Sequence, residues 1–149
     1  MVTVIILPYL PQGKPNPTRG LIQAVSAQLR PRRVIGTRVQ VVGPTYVDVA
    51  VLATVQSKKN TDKVALQTNV IGALNSFLDP LTGGPEKTGW PFGRDVYRAE
   101  ILKVLSEVAG VDYVTSLALV PGKGPAQCGN VCLGQTSLVA PGAHQVQVL

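Results

Sequence analysis

The chain opens on an apolar run, Val2-Thr3-Val4-Ile5-Ile6-Leu7, rich in β-branched residues and suited to a strand buried on both faces. Pro8 ends it, and four prolines in residues 8–17 make an extended connector that formally contains a Pro8-x-x-Pro11 spacing. Thr18 is placed to cap a helix over residues 19–29, with Leu21, Ile22, Val25 and Leu29 on one face and Pro31 as its stop. The period then changes from helical to two. Val39 and Val41 alternate with Arg38 and Gln40, and beyond Gly43-Pro44 the series Val47, Val49, Val51, Ala53, Val55 alternates with Asp48, Ala50, Leu52, Thr54, Gln56, which predicts an antiparallel pair of strands.

A polar stretch over residues 57–62 follows, in which Asn60 or Thr61 can cap a second helix whose stripe is Leu66, Val70, Leu74, Phe77 and Leu78. Asp79-Pro80 closes that helix. Asp95 is the expected cap of a third helix with Tyr97, Ile101, Val104, Leu105 and Val108 on one face, ended by Gly110, and residues 111–120 read as a further strand. The order β-α-β-β-α-loop-α-β predicts an α+β fold: a ferredoxin-like split β-α-β-β-α-β sandwich whose second helix is interrupted by a Gly/Trp loop. The expected division is a domain over residues 1–120 and an extension over 121–149, a short β arm with strands in 131–139 and 145–149 that packs on the domain or on a partner.

The interrupting loop, residues 83–94, holds four glycines, two prolines, the single tryptophan and one of two phenylalanines. That composition excludes a helix and favours tight turns. Trp90 and Phe92 flank Pro91, and two rings on a stiffened turn are either tucked under their own domain or docked on a partner.

Composition narrows the function. Hydrophobic residues make up 45% of the 149 residues, but aromatics only 5% and charges 15%, so the core is aliphatic. The longest apolar run is too short to span a bilayer, and the first residues lack the basic region and cleavage site of a signal peptide, so a soluble protein not exported by the general route is expected. The net charge of +6 is uneven: residues 1–63 carry nine Lys/Arg against two Asp/Glu, and residues 64–149 carry five against six. Arg30, Arg32 and Arg33 form the densest cluster, which suits either an acidic partner or a solvated helix end.

Catalytic chemistry finds little support. His144 is the lone histidine, no serine stands in a nucleophile-elbow context, and Gly122-Lys123-Gly124 lacks the spacing of a phosphate loop. Cys128 and Cys132 with His144 give three soft ligands where structural zinc takes four, and the carboxylates are scattered. No catalytic, cofactor or metal residues are assigned. A ferredoxin-like sheet with a basic N-terminal half raises nucleic-acid binding through that half as the alternative, with Tyr46 and Tyr113 as its only strand aromatics.

Several blocks carry a family resemblance: Pro31-Arg32-Arg33-Val34-Ile35-Gly36-Thr37, Gly43-Pro44-Thr45-Tyr46-Val47, Gly83-Gly84, Gly89-Trp90-Pro91-Phe92-Gly93-Arg94-Asp95-Val96-Tyr97 and Gly110-Val111-Asp112-Tyr113-Val114. In this order they resemble the C-terminal region of baseplate J-like proteins, the baseplate assembly proteins of contractile phage tails and phage-tail-like injection systems. The resemblance implies a structural wedge subunit in a hetero-oligomeric ring. Its partners would be other wedge subunits, hub and spike proteins and sheath-proximal proteins, with assembly in the cytoplasm and no membrane or nucleic acid partner. Trp90, Phe92, Arg94, Arg30, Arg32 and Arg33 are then the candidate interface residues. Family members are several hundred residues long, so the chain resembles their C-terminal portion only, and the Cys128/Cys132 pair is not part of the family pattern.

Overall fold

A computed structural model describes residues 1–122, 126–127 and 129–149, and the chain forms two compact units, Met1–Thr45 and Tyr46–Leu149.

In the first unit, β1 (Val2–Ile5) runs parallel to β2 (Val39–Val42), with Val2 opposite Val39 and Ile5 opposite Val42. Parallel neighbours need a crossover, and α1 (Arg19–Leu29) supplies it, packed on β2. Thr18 caps α1 as its sequence predicts, its hydroxyl accepting from the Leu21 N–H at 3.2 Å. A 3-10 turn over Arg30–Arg32, with Pro31 in its first positions, ends the helical segment. The unit is poor in core: α1 buries no residue fully, and of the unit's large aliphatic side chains only Val41 is buried.

The second unit is built on β3 (Thr45–Ser57), whose alternating Val47, Val49, Val51, Ala53 and Val55 are all buried. β4 (Val111–Pro121) pairs antiparallel with it, from Val49 opposite Pro121 to Ser57 opposite Val111, with register shifts at Thr54/Val55 and Gln56/Ser57. The other edge of β3 is taken by two short strands in succession, β7 (Ser137–Pro141) and β8 (Gln145–Val148), the latter parallel, with Leu52 opposite Gln145. Two-residue strands β5 (Ala126–Gln127) and β6 (Asn130–Val131) form a separate small pair. Helices α2 (Lys63–Phe77) and α3 (Arg98–Glu107) pack on each other, α2 also on β8 and α3 on β4. The stripe residues Leu66, Val70, Leu74, Leu78, Ile101 and Leu105 are buried, and Phe77 is half-buried.

The α+β class therefore stands, but the ferredoxin-like topology does not. β2 pairs with β1 in parallel instead of antiparallel with β3, so β1 and β2 form a two-stranded sheet of their own. The four-stranded sheet is completed by β7 and β8, from within the extension expected over residues 121–149 to pack on the domain or on a partner. Two caps also move. Asp62, not Asn60 or Thr61, caps α2, accepting from Val64 and Ala65 N–H groups. Asp95 does not cap α3, which starts after Tyr97.

Where β7 passes to β8 the ladder on β3 is broken. Gly142 donates to the Val49 carbonyl at 2.9 Å, and a Cβ at that glycine would lie 3.0 Å from the Ala50 nitrogen. The next donor of β3, the Val51 N–H, is satisfied by a side chain, His144 Nδ1, at 3.0 Å. The imidazole thus stands in for a strand carbonyl. Burial lowers the His144 pKa, in keeping with a neutral ring that accepts at Nδ1.

Candidate assembly interface

The loop between α2 and α3 is fixed by its own backbone. Asp79 Oδ1 accepts from the N–H groups of Leu81 and Thr82, both at 2.8 Å, and from the Thr82 hydroxyl at 3.1 Å. Gly84 donates to Phe77 O at 2.7 Å, Gly89 to Gly83 O at 3.0 Å and Trp90 to Pro80 O at 3.1 Å. Gly83 has no substitute, because a Cβ there would meet the Phe77 carbonyl oxygen at 2.3 Å. Gly89, at φ +104°, needs the left-handed region that only glycine enters cheaply.

These turns drive Trp90 inward. Its side chain is 3% exposed, its ring meets Phe77 edge-on with centroids 5.4 Å apart at 87°, and its Nε1–H donates to the Arg94 carbonyl at 2.9 Å. Of the two placements open to this ring, it occupies the one under its own unit. Arg94 covers the site: its guanidinium lies 5.3 Å from the Trp90 centroid and 5.8 Å from that of Tyr97, and it is held by Glu100 through both carboxylate oxygens, one at 3.0 Å. Phe92 remains outside, at 39% exposure.

The far end of the loop is tied to the C-terminal segment. Gly93 donates to Ser137 O at 3.0 Å, and Asp95 Oδ1 accepts the Leu133 N–H at 2.8 Å. Val96 and Val131 exchange backbone hydrogen bonds, and Asn130 Oδ1 takes the Arg98 N–H at 2.9 Å, so a residue 32 positions away caps α3. Sequence inspection missed Asn130 because a cap is sought next to the helix it serves. Cys132 lies beside these contacts, half-buried, while Cys128 and Lys123 lie outside the described residues. Among the described residues no group of three or more His, Cys, Asp or Glu side chains is placed to hold a metal.

The arginine cluster is in the first unit. Arg30, Arg32 and Arg33 are all exposed, but they do not act alike: Arg30 and Arg33, joined by Arg38, line an open cavity of about 470 Å³ between the end of α1 and β2, and Arg32 does not. Tyr46 and Tyr113, the two strand aromatics, are half-buried and exposed respectively. Burial and the nearby Asp79 carboxylate push the Tyr46 phenol up to about 12.

No protein-family model matches the chain, and no curated protein does. Solved structures do match. A chain in the cryo-EM structure of the anti-feeding prophage (AFP) baseplate, 6-fold symmetrised, superposes with a TM-score of 0.68 over 94% of this chain, at 17% sequence identity. The two share a fold. The match spans 29% of the length of that baseplate chain. Among the described residues no helix is long and apolar enough to cross a membrane.

Proposed function

We propose that the chain is a structural subunit of the baseplate of a contractile tail-like particle, a wedge component of the J-like kind that joins neighbours around the hub and under the sheath. The observation that carries this reading is the superposition of nearly the whole chain on part of a protein from such a baseplate. The order of the sequence blocks around Arg32, Gly83 and Trp90 supports the finer assignment to the wedge. The surfaces offered to neighbours are then the Arg30, Arg32, Arg33 corner and the exposed ring of Phe92, with Trp90 and Arg94 as the frame that fixes the loop beneath it. Other wedge subunits and hub or sheath-proximal proteins are the partners, and the role is mechanical, not catalytic.

The test is incorporation. Expressed with the remaining genes of a contractile particle that encodes it, the chain should co-purify with assembled baseplates, and its deletion should stop assembly before the sheath is added. Intact particles from cells that lack it would overturn the proposal. Binding to nucleic acid in place of incorporation would favour the alternative raised by its basic charge.

A further inference from the structure

The charge of the molecule resolves sharply at the unit boundary. Residues 1–45 contain six Lys/Arg and no Asp or Glu, a charge of +6, whereas residues 46–149 contain eight of each sign. The whole net charge therefore sits in a unit with no carboxylate of its own. Arg30, Arg33 and Arg38 converge on the cavity between α1 and β2, with Ser26 and Gln40 as further polar lining and Val39 and Val41 as its apolar wall. Like charges gathered around one concavity repel one another, and the arrangement is relieved when a negative group enters.

Next to the cavity the chain makes a second unusual presentation. Thr37 N–H closes a turn on the Val34 carbonyl at 3.0 Å, Gly36 takes φ +86°, and Ile35 stands at the corner fully exposed, at 101%, beside Val34 at 75%. This is the geometry of a type II turn, which holds its second residue outward on a stiff backbone. The first unit, under a third of the chain, carries seven of the fifteen large hydrophobic side chains exposed among the described residues. A guanidinium-lined cavity beside a rigid, exposed aliphatic corner matches the composition of protein interfaces, where arginine is enriched and an apolar anchor is ringed by polar contacts. It does not match a nucleic-acid surface, since the unit's one aromatic, Tyr9, gives no stacking series for bases.

We infer that the α1–β2 corner is a receptor for an acidic protein segment, whose carboxylates enter the cavity against Arg30, Arg33 and Arg38 while an aliphatic side chain of the same segment packs on Ile35. The inference rests on the baseplate reading for the source of the segment, a neighbouring subunit of the particle. The chemistry is tested without it. With purified full-length chain, a fluorescent oligoglutamate peptide carrying one central leucine should bind, and Arg33→Glu/Arg38→Glu should weaken it by about tenfold or more. Arg19→Glu/Lys59→Glu, the same change of net charge outside the cavity, should weaken it by no more than about threefold. Ile35→Ser should weaken the leucine peptide but not its serine counterpart. All four substituted cations are exposed, so equal melting temperatures are expected and establish that the variants fold. Equal losses for the two double variants would reduce the effect to net charge and overturn the inference. So would tighter binding of oligothymidylate than of the peptide, or no peptide binding at low salt. Failure of the chain to enter particles, with these binding results intact, would remove the baseplate reading alone.

Discussion

Trp90→Ala is the most informative single change. The indole is buried at 3% exposure, stands edge-on to Phe77 at 5.4 Å and donates to Arg94 O at 2.9 Å, and the Arg94 guanidinium covers its face. Removing it leaves a cavity under the loop, strands the Arg94 carbonyl and takes away the aromatic edge contact. Aromatic-to-alanine truncations at such sites cost about 3–5 kcal/mol, of which the ring pair itself contributes about 1 kcal/mol. For a unit of roughly this size each kcal/mol is worth about 4–8 °C, so the melting transition of the second unit should fall by at least about 12 °C. Trp90→Phe keeps most of the apolar volume and loses the hydrogen bond, and should cost about 1–2 kcal/mol. Circular dichroism or calorimetry on the purified chain reads both. A Trp90→Ala melting temperature within about 2 °C of the parent would show that the loop does not seal this core. The account of Trp90 as a frame residue would then be wrong, and a docking role for the indole would return.

Phe92→Ser should leave stability within about 0.5 kcal/mol, since the ring is partly exposed and makes none of the loop's framing contacts, yet it should lower the yield of assembled baseplates in a co-expression assay. Gly83→Ala should prevent the loop from closing, because its Cβ would sit 2.3 Å from a backbone oxygen, and the soluble yield or melting temperature should collapse as for a core truncation. His144 gives a pH dependence of known sign. Its folded pKa lies below the ordinary value of 6.5, so the unfolded chain takes up the proton first. Stability is fully present above that value and is lost as pH falls toward the folded one. Denaturant unfolding between about pH 7 and pH 5 should therefore show a decline that His144→Asn, which keeps an acceptor for the Val51 N–H, removes. Parallel declines in both proteins would refute the assignment.

Much of the local structure was legible because local rules decide it. The Thr18 cap, the Pro31 stop, the period-two run of β3 and the apolar stripes of α2 and α3 all depend on neighbours within a turn or a pleat. Pairing was not legible in the same way. β1 is four residues long and, Thr3 apart, aliphatic and β-branched throughout, so nothing local states whether β2 will meet it in parallel or turn back on β3. The strands of residues 137–148 were visible as strands, but their place on β3 depends on a glycine that admits close approach and a histidine that replaces a carbonyl, and neither has a sequence signature. At the candidate interface, the Trp90 loop announced itself by composition. That its indole turns inward follows from the Gly83, Gly84 and Gly89 hydrogen bonds, which no spacing rule conveys. The arginine cluster was visible too, but only folding brings Arg38 to Arg30 and Arg33 and leaves Arg32 outside the group.

The histidine that bridges the broken ladder also sets an order in time. β3 leaves the ribosome with a hydrogen-bonding edge that stays open until residues 137–148 have been made, because the Val51 amide waits for an acceptor 93 positions downstream. During that interval a strand of buried valines presents an unpaired edge, the kind of surface that pairs with whatever strand is nearest. The second unit is thus a late folder, whose sheet closes only once β8 has emerged to take its place on β3.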